Sequence, residues 1–287
     1  MTTPAEPAVL VRGLRKQYHG ISAVDDIDFD IRRGEIFALL GPNGAGKTTT
    51  VEILEGYRDR TAGEVTVLGA DPACRGQAGR RWRARIGIVL QSPASLPPLT
   101  VAETVRHFAR YYPRPRDPDQ VLASLGLAEK AGARPGQLSG GQRRRLDVAL
   151  AILGQPELLF LDEPTTGFDP EARRQFWELI RGLSGDGATI LLTTHYLEEA
   201  EALADRVAVI ADGAIVATGS PGSLGGRQHA PVTVSWRDAD GPHSLDTLSP
   251  TSVIADLAGR YGGEVPGLTV SRPTLEDVYL NMIGAAQ

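Results

Sequence analysis

Short apolar runs punctuate the chain and read as strands: Ile36 to Leu40, Val65 to Leu68, Ile86 to Leu90, Leu158 to Leu161, Ile190 to Thr194 and Val207 to Ile210. The Leu158 run suits a central parallel strand buried on both faces, with its carboxyl end opening at the crevice where α/β folds bind ligands. Helical periodicity covers Thr49 to Tyr57, Val101 to Tyr112 and Gln120 to Leu127, and a further helix is predicted to start near Gly140. Pro97-Pro98 and the stretch from Pro113 to Pro118 break the middle of the chain. This order predicts an α/β architecture. An antiparallel β-rich portion with the first core strand runs from Val9 to about Gln91, and a helical subdomain covers about 92–155. The α/β core resumes at Glu157 and ends near Gly219, after a turn at Asp212-Gly213, so that 1–219 is one domain. Residues 220–287 form a small C-terminal extension that opens on the linker-like Pro221 to Gly226. Its strand-like runs, Pro231 to Trp236 and Leu268 to Ser271, are too little for a large independent core.

Candidate chemistry stands where the strands end. Gly41-Pro42-Asn43-Gly44-Ala45-Gly46-Lys47-Thr48 fully matches GxxxxGK[ST] and lies between a predicted strand and a predicted helix, the order a phosphate-binding loop needs. Its glycines let backbone N–H groups approach phosphate oxygens, and the helix N-terminus adds partial positive charge. Lys47 is placed to neutralise the β- and γ-phosphates, and the Thr48 hydroxyl to face Mg²⁺. Alone, the motif says nucleoside triphosphate and nothing about the task. Asp162, 115 residues beyond Lys47, ends the Leu158 strand where a carboxylate can hold Mg²⁺. Glu163, one residue on, is free to orient and deprotonate an attacking water.

With Leu138-Ser139-Gly140-Gly141-Gln142 standing 20 residues before Asp162, the chain from about Val9 to Gly219 resembles the ATP-binding subunits of ABC transporters, whose signature is LSGGQ. Gln91 matches the Q-loop glutamine, which in the family touches Mg²⁺ or the attacking water and begins the loop that faces the membrane subunit. Gly167-Phe168-Asp169 matches the D-loop, with Phe168 where leucine is usual, His195 matches the switch histidine, and Tyr18 the aromatic that stacks on adenine. The resemblance implies an α/β P-loop NTPase fold with a RecA-like core, an antiparallel β subdomain and an α-helical signature subdomain. It implies ATP hydrolysis with ATP and Mg²⁺ as cofactors, with Glu163, His195 and Gln91 in the chemistry and Thr48, Gln91 and Asp162 at the metal. Tyr18, residues 41–48 and Thr49 would hold the nucleotide from one chain. Ser139, Gly140, Gly141 and Gln142 would reach it from a second ATP-binding subunit, expected to be another copy of this chain, because a signature cannot reach a phosphate held by its own chain. The ending from Arg272 to Leu280 resembles that of ATPases from ABC-2-type exporters, the daunorubicin-resistance-like group. It implies an exporter subunit, with multidrug export among the possible tasks, working through a separate ABC-2-type transmembrane permease.

Composition narrows the partners. The 287 residues contain no run of about 18 apolar positions, and Met1 to Ala8 lacks a signal pattern, so the chain is expected to sit peripherally on the cytoplasmic face of the cell membrane. The single cysteine, Cys74, excludes an internal disulfide, and the scattered histidines do not suggest zinc. A net charge of −5 argues against broad binding to nucleic acid, and no nucleic-acid partner is expected. Arg80 to Arg85 reads as a solvated helical face. Arg143 to Arg145 resembles the basic continuation of the signature helix seen in the family, with salt bridges to nearby acids as the alternative reading and no catalytic role assigned. The rival reading is a soluble ABC-type ATPase acting on ribosomes or DNA. Relatives of that kind usually carry paired cassettes or long coiled coils, and neither occurs here.

Overall fold

The computed structural model describes residues 6–91, 98–238 and 240–285. From the N-terminus, β1 (Val9–Tyr18) and β2 (Ile21–Ile31) form a hairpin, and β3 (Ile36–Leu40) runs into α1 (Lys47–Leu54). Next come β4 (Ala62–Val67), α2 (Gly76–Arg83) and β5 (Ile86–Val89). Three helices follow, α3 (Val101–Ala109), α4 (Pro118–Ser124) and α5 (Gly140–Ile152). The chain then alternates through β6 (Leu158–Asp162), α6 (Pro170–Gly185), β7 (Thr189–Thr194), α7 (Leu197–Leu203), β8 (Arg206–Ala211) and β9 (Ala214–Gly219).

The centre is a six-stranded sheet in the order β5-β6-β7-β3-β8-β9, parallel throughout except that β9 lies antiparallel to β8. Side chains along a strand alternate between faces, and each face here has its own core. Phe37 and Leu39 pack with Leu158, Phe160 and Leu191 against α1 and the separate antiparallel sheet β2-β1-β4. Ile36, Ala38 and Leu40 pack with Leu159, Leu161 and Leu192 beneath α3 to α6. Every residue of β3, β6 and β7 is buried, which is why these strands read as unbroken apolar runs. The α/β fold, its antiparallel β subdomain and its helical portion are those predicted from the sequence.

Local details differ from the sequence reading. The first helix starts at Lys47, inside the phosphate-loop motif, and stops at Leu54 instead of continuing to Tyr57. The run Arg80 to Arg85 is not simply a solvated face. Trp82 is buried with its indole N–H donating to Val67 O at 2.9 Å, and Arg85 grips the Glu157 carboxylate through Nε at 2.5 Å and Nη2 at 3.0 Å. That pair, with Arg33 alongside, holds the Glu157 carboxyl down at about 2 and ties the start of β5 to the start of β6. Part of the predicted Pro97-Pro98 break, and the loop directly after Gln91, lie outside the described residues.

The C-terminal segment holds more regular structure than its sequence suggests. β10 (Val232–Asp238) and β12 (Thr269–Ser271) correspond to the two predicted strands, and between them lie β11 (Gly241–Thr247) and α8 (Pro250–Tyr261), which the sequence pattern did not reveal. The sheet order is β11-β10-β12, and Val232, Val234 and Leu257 are buried at its contact with α8. β11 is mostly polar, and backbone pairing with β10 holds it in place. The last helix, α9 (Leu275–Ala285), returns to the main body, where Leu275 and Tyr279 join the same core as α5 and β7. Among the described residues no helix is long and apolar enough to cross a membrane.

Leu275 is 1 % exposed. Leu275→Ala is therefore expected to cost about 2–5 kcal/mol by leaving a cavity under α9. A chemical-denaturation curve checks this, and an unchanged midpoint would show that α9 contributes nothing to the fold.

Candidate functional site

Parallel pairing places the carboxyl ends of β5, β6, β7 and β3 side by side, and each end carries a residue singled out from the sequence. Leu40 pairs with Thr194, Asp162 with Thr193, and Val89 with Leu161, so the phosphate loop, His195, the Asp162-Glu163 pair and Gln91 all start from one edge. Gly41 N donates to Thr194 O at 3.4 Å, stitching the phosphate loop to the strand beside it.

The loop leaves no room for larger residues at two points. A Cβ at Gly41 would lie 2.3 Å from Ile210 O, and one at Gly46, where φ is +103°, would lie 2.5 Å from Ala23 O. Pro42, Asn43 and Gly44 form the exposed rim, and Ala45, Gly46 and Lys47 are buried. Thr50 Oγ1 donates to Gly46 O at 2.9 Å and closes the base of the loop. Thr48 is exposed and Thr49 half-buried at the start of α1. The Lys47 ammonium lies inside the loop, donating to Gly41 O at 2.8 Å and Pro42 O at 3.0 Å, and is 3.8 Å from Glu163 Oε1.

Three charged groups are thereby packed into a largely dry space. Burial pushes Lys47 below its ordinary range, with Glu163 and Asp162 resisting the shift. Burial likewise pushes the Asp162 carboxyl up, opposed chiefly by the Thr193 hydroxyl that donates to Asp162 Oδ1. Each therefore gains from an incoming counter-charge, an anion beside Lys47 and a cation beside Asp162. A triphosphate with its divalent cation supplies both, and Mg²⁺ bound this way needs only one or two protein ligands. The residues present fit ATP and Mg²⁺ on that ground.

Glu163 is the most constrained residue of the site. Its backbone lies in the left-handed region at φ +43°, which is costly for a residue with a side chain. Its N–H donates to Thr193 O at 3.2 Å and Thr193 Oγ1 at 3.0 Å. Gln91 Nε2 donates to Oε2 at 2.9 Å, Thr166 Oγ1 reaches the same oxygen at 3.4 Å, and His195 Nδ1 stands 3.3 Å from Oε1. Gln91, Glu163, His195 and Lys47 are thus brought together, as the sequence reading expected of the first three and the phosphate loop.

The signature opens α5 on the helical side, and Gly140 lines a cleft shared with Gln91 and Glu163. Ser139 is the N-cap of α5, and its hydroxyl accepts from Gln142 N at 3.3 Å while Gln142 Oε1 accepts from Ser139 N at 3.1 Å. Ser139 and Gly140 are exposed, with Gly141 and Gln142 half-buried beside them. The D-loop match is anchored internally. Asp169 caps α6 by accepting from Ala172 N at 2.8 Å, and Phe168 packs edge-on against Phe176 at 5.8 Å. Tyr18 ends β1, half-buried, with Lys16 Nζ 5.0 Å and the Arg58 guanidinium 5.3 Å from its ring centre.

Sequence reasoning passed over several residues that shape this edge. Thr193 contacts both carboxyl-bearing residues from the neighbouring strand. Glu199, fully buried on α7, accepts from Thr165 Oγ1 at 2.8 Å and Trp177 Nε1 at 3.3 Å, tying the segment after Glu163 to the helix after His195. Among the signature-helix arginines, Arg145 bonds Gln175. Arg144 turns inward and donates to backbone carbonyls. Arg144, Val148 and Ile152 recur every fourth residue and are all buried on one helical stripe.

Comparison with known proteins agrees with this geometry. The family model described as "ABC transporter" matches residues 24–166. The "Nod factor export ATP-binding protein I" of Ralstonia nicotianae is 39% identical, over 97% of this chain and 94% of that protein. The protein of the same name from Burkholderia orbicola is 37% identical, over 95% of this chain and 96% of its own. A solved "ATP binding subunit of ABC transporter" superposes with a TM-score of 0.69 at 24% identity, covering 96% of this chain and 99% of the other. A solved ATP-binding cassette, described as dimeric in a post-hydrolysis state with ADP and Pi, gives 0.67 at 26% identity, covering 74% of this chain and 98% of the other.

One buried acid near the site has a pH signature of its own. Glu55, the C-cap of α1, is 5 % exposed, and burial, with the charges of Asp162 and Glu52 adding, pushes its carboxyl up to about 8. Because the folded state holds this proton more tightly than the unfolded chain, Glu55 contributes stability that is present below the ordinary carboxylate range and is lost as pH rises toward 8. Glu55→Gln is expected to raise the thermal midpoint of the nucleotide-free protein at about pH 9 and to change it little at about pH 4. Melting curves across pH check this, and parallel curves for the two proteins would show that Glu55 does not titrate in that window.

Proposed function

This chain belongs to the ABC transporter family as an ATP-binding subunit with ATPase activity, and we propose that it drives export through a separate ABC-2-type permease, seated peripherally at the cytoplasmic face of the membrane. Kinship along nearly the whole chain with proteins named as export ATP-binding subunits supports export and disfavours a soluble ATPase acting on ribosomes or DNA. Cargo would be selected by the permease.

The observation that carries the mechanism is the Glu163 carboxylate, held at one oxygen by Gln91, faced at the other by His195, and within 3.8 Å of Lys47. ATP with Mg²⁺, when bound, supplies the phosphoryl group to be transferred and the cation that neutralises its charge. Residues 41–49 would hold the phosphates with backbone N–H groups and Lys47, and Thr48, Asp162 and Gln91 would be the metal-side ligands. Glu163 orients and deprotonates the water, with Gln91 and His195 fixing its two oxygens. Tyr18 offers its ring to the adenine. Two copies of the chain meet head to tail, so that Ser139, Gly140, Gly141 and Gln142 at the exposed start of one α5 reach the nucleotide of the other copy. Residues 1–219 make up this ATP-binding unit, and residues 220–287 are an extension to it.

Glu163→Gln is expected to keep ATP binding, trap a closed dimer and lower turnover by on the order of 10²–10⁴. Wild-type turnover in that variant would remove Glu163 as the base. Ser139→Arg is expected to leave nucleotide binding to the monomer intact and to abolish ATP-dependent dimerisation. ATP hydrolysis over a protein concentration series, with light scattering beside it, reads both variants. Full activity in an isolated monomer would overturn the paired arrangement.

A further inference from the structure

Arg144 lies in the second turn of α5, five residues beyond Ser139, and is 6 % exposed. Its guanidinium leaves the helix and ends among three backbone carbonyls. Nε donates to Pro164 O at 3.0 Å, Nη2 donates to Asp162 O at 2.8 Å, and Nη1 donates to Leu90 O. Two of these carbonyls belong to the residues on either side of Glu163. The third belongs to the residue before Gln91, whose amide holds Glu163 Oε2 at 2.9 Å.

The placement matters because Glu163 sits at φ +43°, a conformation that persists only where its surroundings over-determine it. Thr193 grips the Glu163 N–H from β7, and Arg144 grips the flanking carbonyls from α5. A planar guanidinium can serve carbonyls in three fixed directions, which an ammonium on a flexible stem does poorly.

We propose that Arg144 is a positioning residue through which the signature helix of one chain sets the backbone around Glu163 in that same chain. The inference rests on the paired reading of the signature. If the start of α5 touches the partner's nucleotide, occupancy of the partner's site moves the helix that carries Arg144, and the base of the other site feels it.

Mixed dimers of the full-length chain test the direction of this effect. In the first, one chain carries Arg144→Gln and its partner Glu163→Gln, so the only intact base belongs to the chain that lacks the guanidinium. In the second, both substitutions are on one chain and the partner is wild type. Turnover of the first is expected to be about tenfold to a hundredfold below the second, with KM for ATP alike in the two. Equal turnover overturns the proposal by showing no effect of Arg144 on its own chain's base, and the reverse order overturns it by showing that Arg144 shapes the signature for the partner. Homodimeric Arg144→Lys, which keeps the charge and avoids the risk of misfolding, is expected to lower kcat with KM and thermal midpoint held; an unchanged kcat counts against the proposal. Failure of wild-type and Glu163→Gln chains to associate with ATP would instead strike the paired reading itself.

Discussion

Four neighbouring strands of a parallel sheet must end at the same edge, and the site of this protein depends on that geometric constraint. β5, β6, β7 and β3 pair in register, so Gln91, His195 and Lys47, far apart in sequence, all come close to the Glu163 carboxylate. An antiparallel arrangement would send alternate loops to opposite edges. Burial of all residues in β3, β6 and β7 makes the register hard to shift, since each face already fills a separate core.

The same burial creates the electrostatic demand at the edge. Lys47 and Asp162 are both pushed toward their neutral forms by loss of water, and the Lys47 ammonium falls back on the carbonyls of Gly41 and Pro42. A ligand that brings both signs of charge relieves both groups at once. The phosphate loop is thus prepared for an anion by its backbone, and the neighbouring strand end for a cation by its carboxylate.

Glu163 shows how backbone strain is maintained where it serves a site. Thr193 holds its N–H, Arg144 holds the carbonyls before and after it, and Gln91 and Thr166 hold one side-chain oxygen. These restraints come from β7, α5, the end of β5 and the following turn, so the base reports the relative placement of the sheet and the helical layer. The helical layer is in turn the part that presents Ser139 and Gly140 to solvent.

Local pattern alone determined much of this protein. GxxxxGK[ST], the strand-end Asp162-Glu163 and LSGGQ each depend on near-neighbour backbone geometry, which sequence records directly, and the central strands announce themselves because double-sided burial fills their middles with apolar residues and leaves polar ones to the strand ends. The fold class and the family follow from those features in order. Other features belong to the tertiary structure, because their reasons lie far away along the chain. β11 is too polar to read as a strand and exists by pairing with β10. Arg85 looks like one of a solvated cluster until Glu157 arrives from a distant turn. Arg144, one of three consecutive arginines, is singled out only when folding brings Leu90, Asp162 and Pro164 to it, since a backbone carbonyl leaves no mark in sequence on the residue that will bind it.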